Sequence, residues 1–90
     1  MCVCNLQPIK TAAETDAAIR EVSNAVNKEL DRALTLYGPM INKHQGYAII
    51  LEELDELWEE VKAKKCSSER MREECVQIAA MAMRFVVDLT

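Results

Sequence analysis

Apolar and polar residues along this chain follow the period of an α-helix, most clearly over 47–61. Tyr47, Ile50, Leu51, Leu54, Leu57, Trp58 and Val61 fall at i, i+3, i+4, i+7, i+10, i+11 and i+14, one stripe of an amphipathic helix. Between them stand Glu52, Glu53, Asp55, Glu56, Glu59 and Glu60. Like charges three or four apart on a helix disfavour it by roughly 0.2–0.5 kcal/mol per pair. Glu52 and Glu56, Glu53 and Glu56, and Glu56 and Glu60 all stand in that relation. A nearby cation relieves such crowding, whether it is solvent salt, an Arg or Lys of a neighbouring helix, or a bound metal ion.

The same period predicts two further helices. Thr11 with Glu14 three residues later is a capping-box pattern, and Ile19, Val22, Val26, Leu30, Ala33, Leu34 and Tyr37 keep a helical register behind it. Helix one therefore runs from about Ala12 to about Leu36. Gly38-Pro39 ends it, since glycine accepts a left-handed cap and proline cannot continue the ladder. Residues 38–46 form a connection carrying Lys43 and His44, and helix two runs from about Tyr47 to Lys64. Its closing Lys62, Lys64 and Lys65 suit the negative end of the helix dipole. Cys66-Ser67-Ser68 is a turn with a serine cap, and helix three spans about Glu69 to Leu89. That last helix is apolar on two faces: Cys75, Ile78, Ala79, Ala82, Phe85, Val86 and Leu89 on one, Val76, Ala80, Met83 and Val87 on the other. Two apolar faces need two partners, so one face is expected inside the protomer and one in an oligomer interface. Residues 1–10 read as an extended leader and 11–90 as a single domain.

Composition narrows this picture. Ninety residues, half of them hydrophobic, with one Trp, one Phe and two Tyr, describe an aliphatic core in a domain small enough to need help from a second subunit, a metal or disulfides. The expected fold is an all-α antiparallel helical bundle completed by oligomerisation through helices one and three, as a dimer or dimer of dimers. A net charge of −4 argues against nucleic acid and anionic membranes as partners, both of which select clustered Lys and Arg. No apolar run reaches the roughly 20 residues of a membrane span, and the opening residues lack a secretory pattern. A soluble, cytoplasmic protein with reduced cysteines is expected. The Cys2-x-Cys4 spacing is not that of the usual zinc sites, and His44 is the single histidine.

Chemistry concentrates on the acids. Glu53 and Glu56 are i, i+3 neighbours at the shoulder of the helix-two stripe, and Glu74 and Gln77 hold the same relation on helix three. Antiparallel packing through the stripes sets these four across a groove, and an all-oxygen cluster suits Mg²⁺ or Mn²⁺. The plainer alternative is a solvated acidic face. A di-iron bundle needs Glu-x-x-His motifs that one histidine cannot supply. Neither a base-flanked nucleophile nor a glycine-rich phosphate loop is present.

The run Glu52-Glu53-Leu54-Asp55-Glu56, then seventeen residues, then Glu74-Cys75-Val76-Gln77, resembles the EExxE…ExxD signature of the MazG-like all-alpha nucleoside triphosphate pyrophosphohydrolases. The likeness covers about Lys43 to Leu89, half the chain. It implies that Glu53, Glu56 and Glu74 bind Mg²⁺, and that Glu52 orients the water or a second metal. Gln77 stands where the family has aspartate, which lowers the charge of the site. The implied reaction is attack of water at the α-phosphorus of a nucleoside triphosphate, with Glu52 or Glu56 accepting the proton, releasing a nucleoside monophosphate and pyrophosphate. Lys62, Lys65, Arg70 and Arg84 are the basic residues able to hold outer phosphates, Arg84 foremost. The base is expected between helices one and two, near His44, Tyr47 and Trp58, although Trp58 in the apolar stripe reads first as core. The rival is a non-catalytic helical oligomer or protein-interaction module whose acidic face is solvated.

Overall fold

A computed structural model describes residues 8–90. The Cys2-x-Cys4 pair and most of the expected leader lie outside them. The described residues form three helices and no strand: α1 Ala12–Tyr37, α2 Lys43–Lys62 and α3 Ser68–Leu89. α3 is the hub and packs against both other helices. Glu60 of α2 lies beside Arg70 at the start of α3, while Gly46 meets Phe85 and Leu89 at its end, so α2 and α3 are antiparallel as expected. Glu21 of α1 bonds Arg72, and Gly38 just beyond α1 bonds Arg84; α1 and α3 thus run parallel, giving an up-down-up arrangement.

Local chemistry accounts for the boundaries. The Thr11 hydroxyl accepts the Glu14 N–H at 3.1 Å and the Glu14 carboxylate accepts the Thr11 N–H at 3.0 Å, the reciprocal capping box. Gly38 takes φ 68° and its N–H donates to the Leu34 carbonyl at 3.2 Å, closing α1. α2 begins four residues before the expected Tyr47 and absorbs His44, because Asn42 is the better cap. Its Oδ1 accepts the Gln45 N–H at 2.9 Å, and Gln45 Oε1 accepts the Ile41 N–H at 2.6 Å. Gly46 is therefore no breaker but a buried helical position. A Cβ there would stand 2.6 Å from Phe85 Cδ2 and 2.9 Å from Leu89 Cδ1, so its missing side chain lets α2 approach the end of α3. α2 stops at Lys62, leaving Lys64 and Lys65 in the turn, and Ser67 caps α3 by accepting the Arg70 N–H.

The buried apolar residues are Val26, Ala33, Met40, Ala80 and Met81, with Leu30, Ile49, Ile50, Val76, Ala79, Phe85 and Leu89 packed partly against them. Two expectations change here. Trp58 is not core but 56 % exposed. The most buried line on α3 runs through Ala80, Met81 and Arg84, whereas Met83, Val86 and Val87, drawn from both expected stripes, face outward. Arg84 is buried because its Nη2 donates to the Gly38 carbonyl at 2.6 Å, and one turn later Asp88 Oδ2 accepts the Met40 N–H at 2.9 Å. Together they clamp the α1–α2 connection onto α3. Cys66 is disulfide-bonded, against the expectation of reduced thiols, while Cys75 is free and exposed. Among the described residues no helix is long and apolar enough to cross a membrane.

Gly46→Ala should destabilise the fold. Overpacking a close contact costs about 1–3 kcal/mol, against a helix-propensity gain of at most about 1 kcal/mol. A lower urea midpoint at unchanged slope is the expected result.

Candidate metal centre

Glu53 and Glu56 lie one turn apart on α2, and antiparallel packing brings Glu74 of α3 level with them. One carboxylate oxygen from each of the three lies within 4.8 Å of the others. Glu53 and Glu74 are half-buried and Glu56 is exposed, so the cluster opens to solvent on one side only. The inner oxygens, Oε2 of Glu53 and Oε2 of Glu74, are buried and accept no hydrogen bond. The two basic side chains that precede Glu74 on α3 are engaged elsewhere: Arg70 stands 3.8 Å from Glu60 and Arg72 3.4 Å from Glu21.

This arrangement raises the cost of ionisation. Burial pushes the Glu53 carboxyl up to about 7, and the neighbouring charges of Glu56 and Glu74 push the same way. Glu74 is also raised, chiefly by burial and then by Glu56. Carboxylates facing one another have no donor to share unless one keeps a proton. Two orphaned inner oxygens, three converging carboxylates and one open side match what a hard divalent cation needs from a protein, so the residues present fit such an ion.

Two of the trio, Glu53 and Glu56, open onto a cavity of about 690 Å³ between α1 and α2, floored by α3. Glu52, Glu53 and Glu56 line it from α2, and Gln77, Met81 and Arg84 from α3. Gln77 is thus on the cavity wall, one turn along α3 from Glu74. Arg84 is the one basic residue of the expected four that lines the cavity, with its guanidinium held by the Gly38 carbonyl and the Met81 sulfur. Its Nε is buried with no partner. His44, Tyr47 and Trp58 are exposed and away from the cavity wall. Lys62 bonds Glu59 at 3.0 Å and sits 5.7 Å over the Trp58 ring. The sequence reading missed the α1 contribution: Glu29, Arg32, Ala33 and Tyr37 form that wall, and Gln45 and Ile49 extend it from α2. Ala33 and Tyr37 belong to the α1 apolar series, but the charged pair does not, and its paired i, i+3 spacing was the available signal. Arg32 is bonded to Glu29 through both Nε and Nη2.

No known family, curated protein or solved structure matches the chain.

The raised Glu53 carboxyl predicts a pH dependence. The folded chain holds this proton more tightly than the unfolded chain, so the contribution to stability is full below about 4.5 and is lost as pH rises through about 7. In chelator, the stability of Glu53→Gln relative to the parent should therefore increase between pH 5 and 7.5. Parallel pH profiles for the two proteins would count against the crowding.

Proposed function

We propose that this chain is a divalent-metal-dependent nucleoside triphosphate pyrophosphohydrolase, active in the cytoplasm on the nucleotide pool as a dimer or dimer of dimers. The observation that carries the reading is the meeting of Glu53, Glu56 and Glu74 from two helices at the edge of a cavity large enough for a nucleotide. The motif resemblance supplies the substrate class, and the geometry supplies its physical plausibility: the motif acids from separate segments converge.

Glu53, Glu56 and Glu74 would hold Mg²⁺ or Mn²⁺. The ion, when bound, offsets phosphate charge and lowers the pKa of an attached water. The remaining steps belong to the side chains. Glu52, exposed on the cavity wall, or Glu56 accepts the proton of the attacking water. A bond forms from the water oxygen to the α-phosphorus, the bond to the bridging oxygen breaks, and pyrophosphate leaves with the electron pair. Gln77 contributes a carbonyl oxygen without charge, which weakens cation affinity relative to an aspartate. Arg84 lies ten residues from Glu74, about 15 Å along the helix axis, so it acts at the opposite end of the cavity from the trio. Arg32 on the α1 wall is the more exposed guanidinium for an outer phosphate. His44, Tyr47 and Lys62, away from the cavity in one protomer, reach a substrate only across a subunit boundary.

A panel of nucleoside triphosphates with Mg²⁺ or Mn²⁺ should show pyrophosphate release that chelator abolishes. Glu53→Gln and Glu74→Gln should each lower it at least a hundredfold while the helical spectrum is kept. Absence of metal-dependent turnover in the parent chain favours the non-catalytic interaction module instead.

Cation binding should also be visible without substrate. An ion at about 100 times its dissociation constant stabilises the folded state by about 2.7 kcal/mol, so Mg²⁺ or Mn²⁺ should raise the melting temperature of the parent and leave Glu53→Gln nearly unmoved. Equal melting in ion and chelator would remove the motive for the site.

A further inference from the structure

α2 carries two apolar registers with different fates. Ile50 and Leu57 are partly buried, with Ile50 packed against the core. Tyr47, Leu51, Leu54, Trp58 and Val61 stand between 38 and 64 % exposed. Their spacing of four, three, four and three residues averages 3.5, the repeat at which one helix packs along another with knobs in holes. The ridge is about 21 Å long. An apolar hollow of about 340 Å³, lined by Leu54, Asp55, Leu57, Trp58 and Val61, lies on the same face.

From these features we infer that the outer face of α2 is the two-fold interface with a second copy of this chain. Three observations select that occupant. A surface carrying both a ridge and a hollow is complementary to itself, which is the condition a two-fold interface must meet. Among the described residues no large side chain is completely buried, so they lack the apolar burial that a domain of this size needs. The area is also sufficient. Half-exposed Tyr and Trp, from side chains of roughly 150–250 Å², and three aliphatics offer roughly 500 Å² per copy. A pair then removes about 1,000 Å² from water, the size at which specific interfaces begin.

The pairing is compatible with the candidate site. At 100° per residue, Glu53, Glu56 and Glu60 lie roughly 150° around α2 from the centre of the ridge, so the cavity stays open. The interface differs from the α1 and α3 faces nominated by the sequence. It deepens the self-association proposed above and is independent of the hydrolase reading, because its test reads mass and one fluorophore rather than turnover.

Sedimentation of the full chain from about 1 to 100 µM, with acrylamide quenching of the single Trp58, tests it. A particle of at least twice the 10.2 kDa chain mass, with Trp58 protected at high concentration and quenched on dilution, is the expected result. Leu54→Lys should raise the dissociation constant at least tenfold and expose Trp58 with helicity retained. Val61→Lys, near the helix end, serves if Leu54→Lys unfolds. A monomer throughout, leaving the face to a different protein, overturns the inference. An oligomer whose mass and Trp58 quenching ignore the folded variant also overturns it, because the interface would then lie on α1 or α3.

Discussion

Repulsion among three carboxylates governs how this structure is to be understood. Glu53 and Glu56 reach from α2 and Glu74 from α3 into one small volume, where burial keeps water from screening them fully and no ion pair among the described residues engages them. Left alone, such a group lowers its own charge by holding a proton, which is why Glu53 is pushed up to about 7. Two buried oxygens without partners are costly in a fold with a thin core, and under the proposed function a divalent cation satisfies both while offsetting the charge.

The remainder of the fold sets this arrangement in place. Gly46 lets the start of α2 press against Phe85 and Leu89, and the Arg84 and Asp88 bonds to the Gly38–Met40 connection fix the end of α1 at the same level of α3. With that end clamped, α2 lies antiparallel to α3 in the register that sets residue 53 beside residue 74. α1 completes the cavity wall with Arg32 and Tyr37. The side of α2 away from the cavity keeps an apolar ridge in water, so the helix that presents the acids also presents an uncovered apolar face.

Much of this was legible in the sequence. The capping box at Thr11 and Glu14, the stop at Gly38 and the placing of Glu53 and Glu56 on one face follow from spacing, because helical periodicity fixes which residues share a face; that Glu74 meets them depends on the antiparallel packing of α2 on α3. The misreadings have physical sources. Gly46 reads as part of the connection unless its contact with Phe85, thirty-nine residues further along the chain, is known. Trp58 reads as core because periodicity reports which side of a helix is apolar, not whether anything covers it. Arg84 is buried through a backbone carbonyl, a partner that leaves no trace in residue types, and the α1 wall of the cavity depends on a helix crossing that no local pattern encodes.

The central claim, that a divalent cation replaces a shared proton among these carboxylates, is tested most directly by calorimetric titration of Mn²⁺ near pH 6.5 in two buffers of different ionisation enthalpy. Metal ligands must shed their protons to bind. The account predicts binding accompanied by release of a measurable fraction of a proton in the parent chain, with affinity and release both lost in Glu53→Gln. Absence of binding, or binding with no proton released and no sensitivity to Glu53, would contradict it.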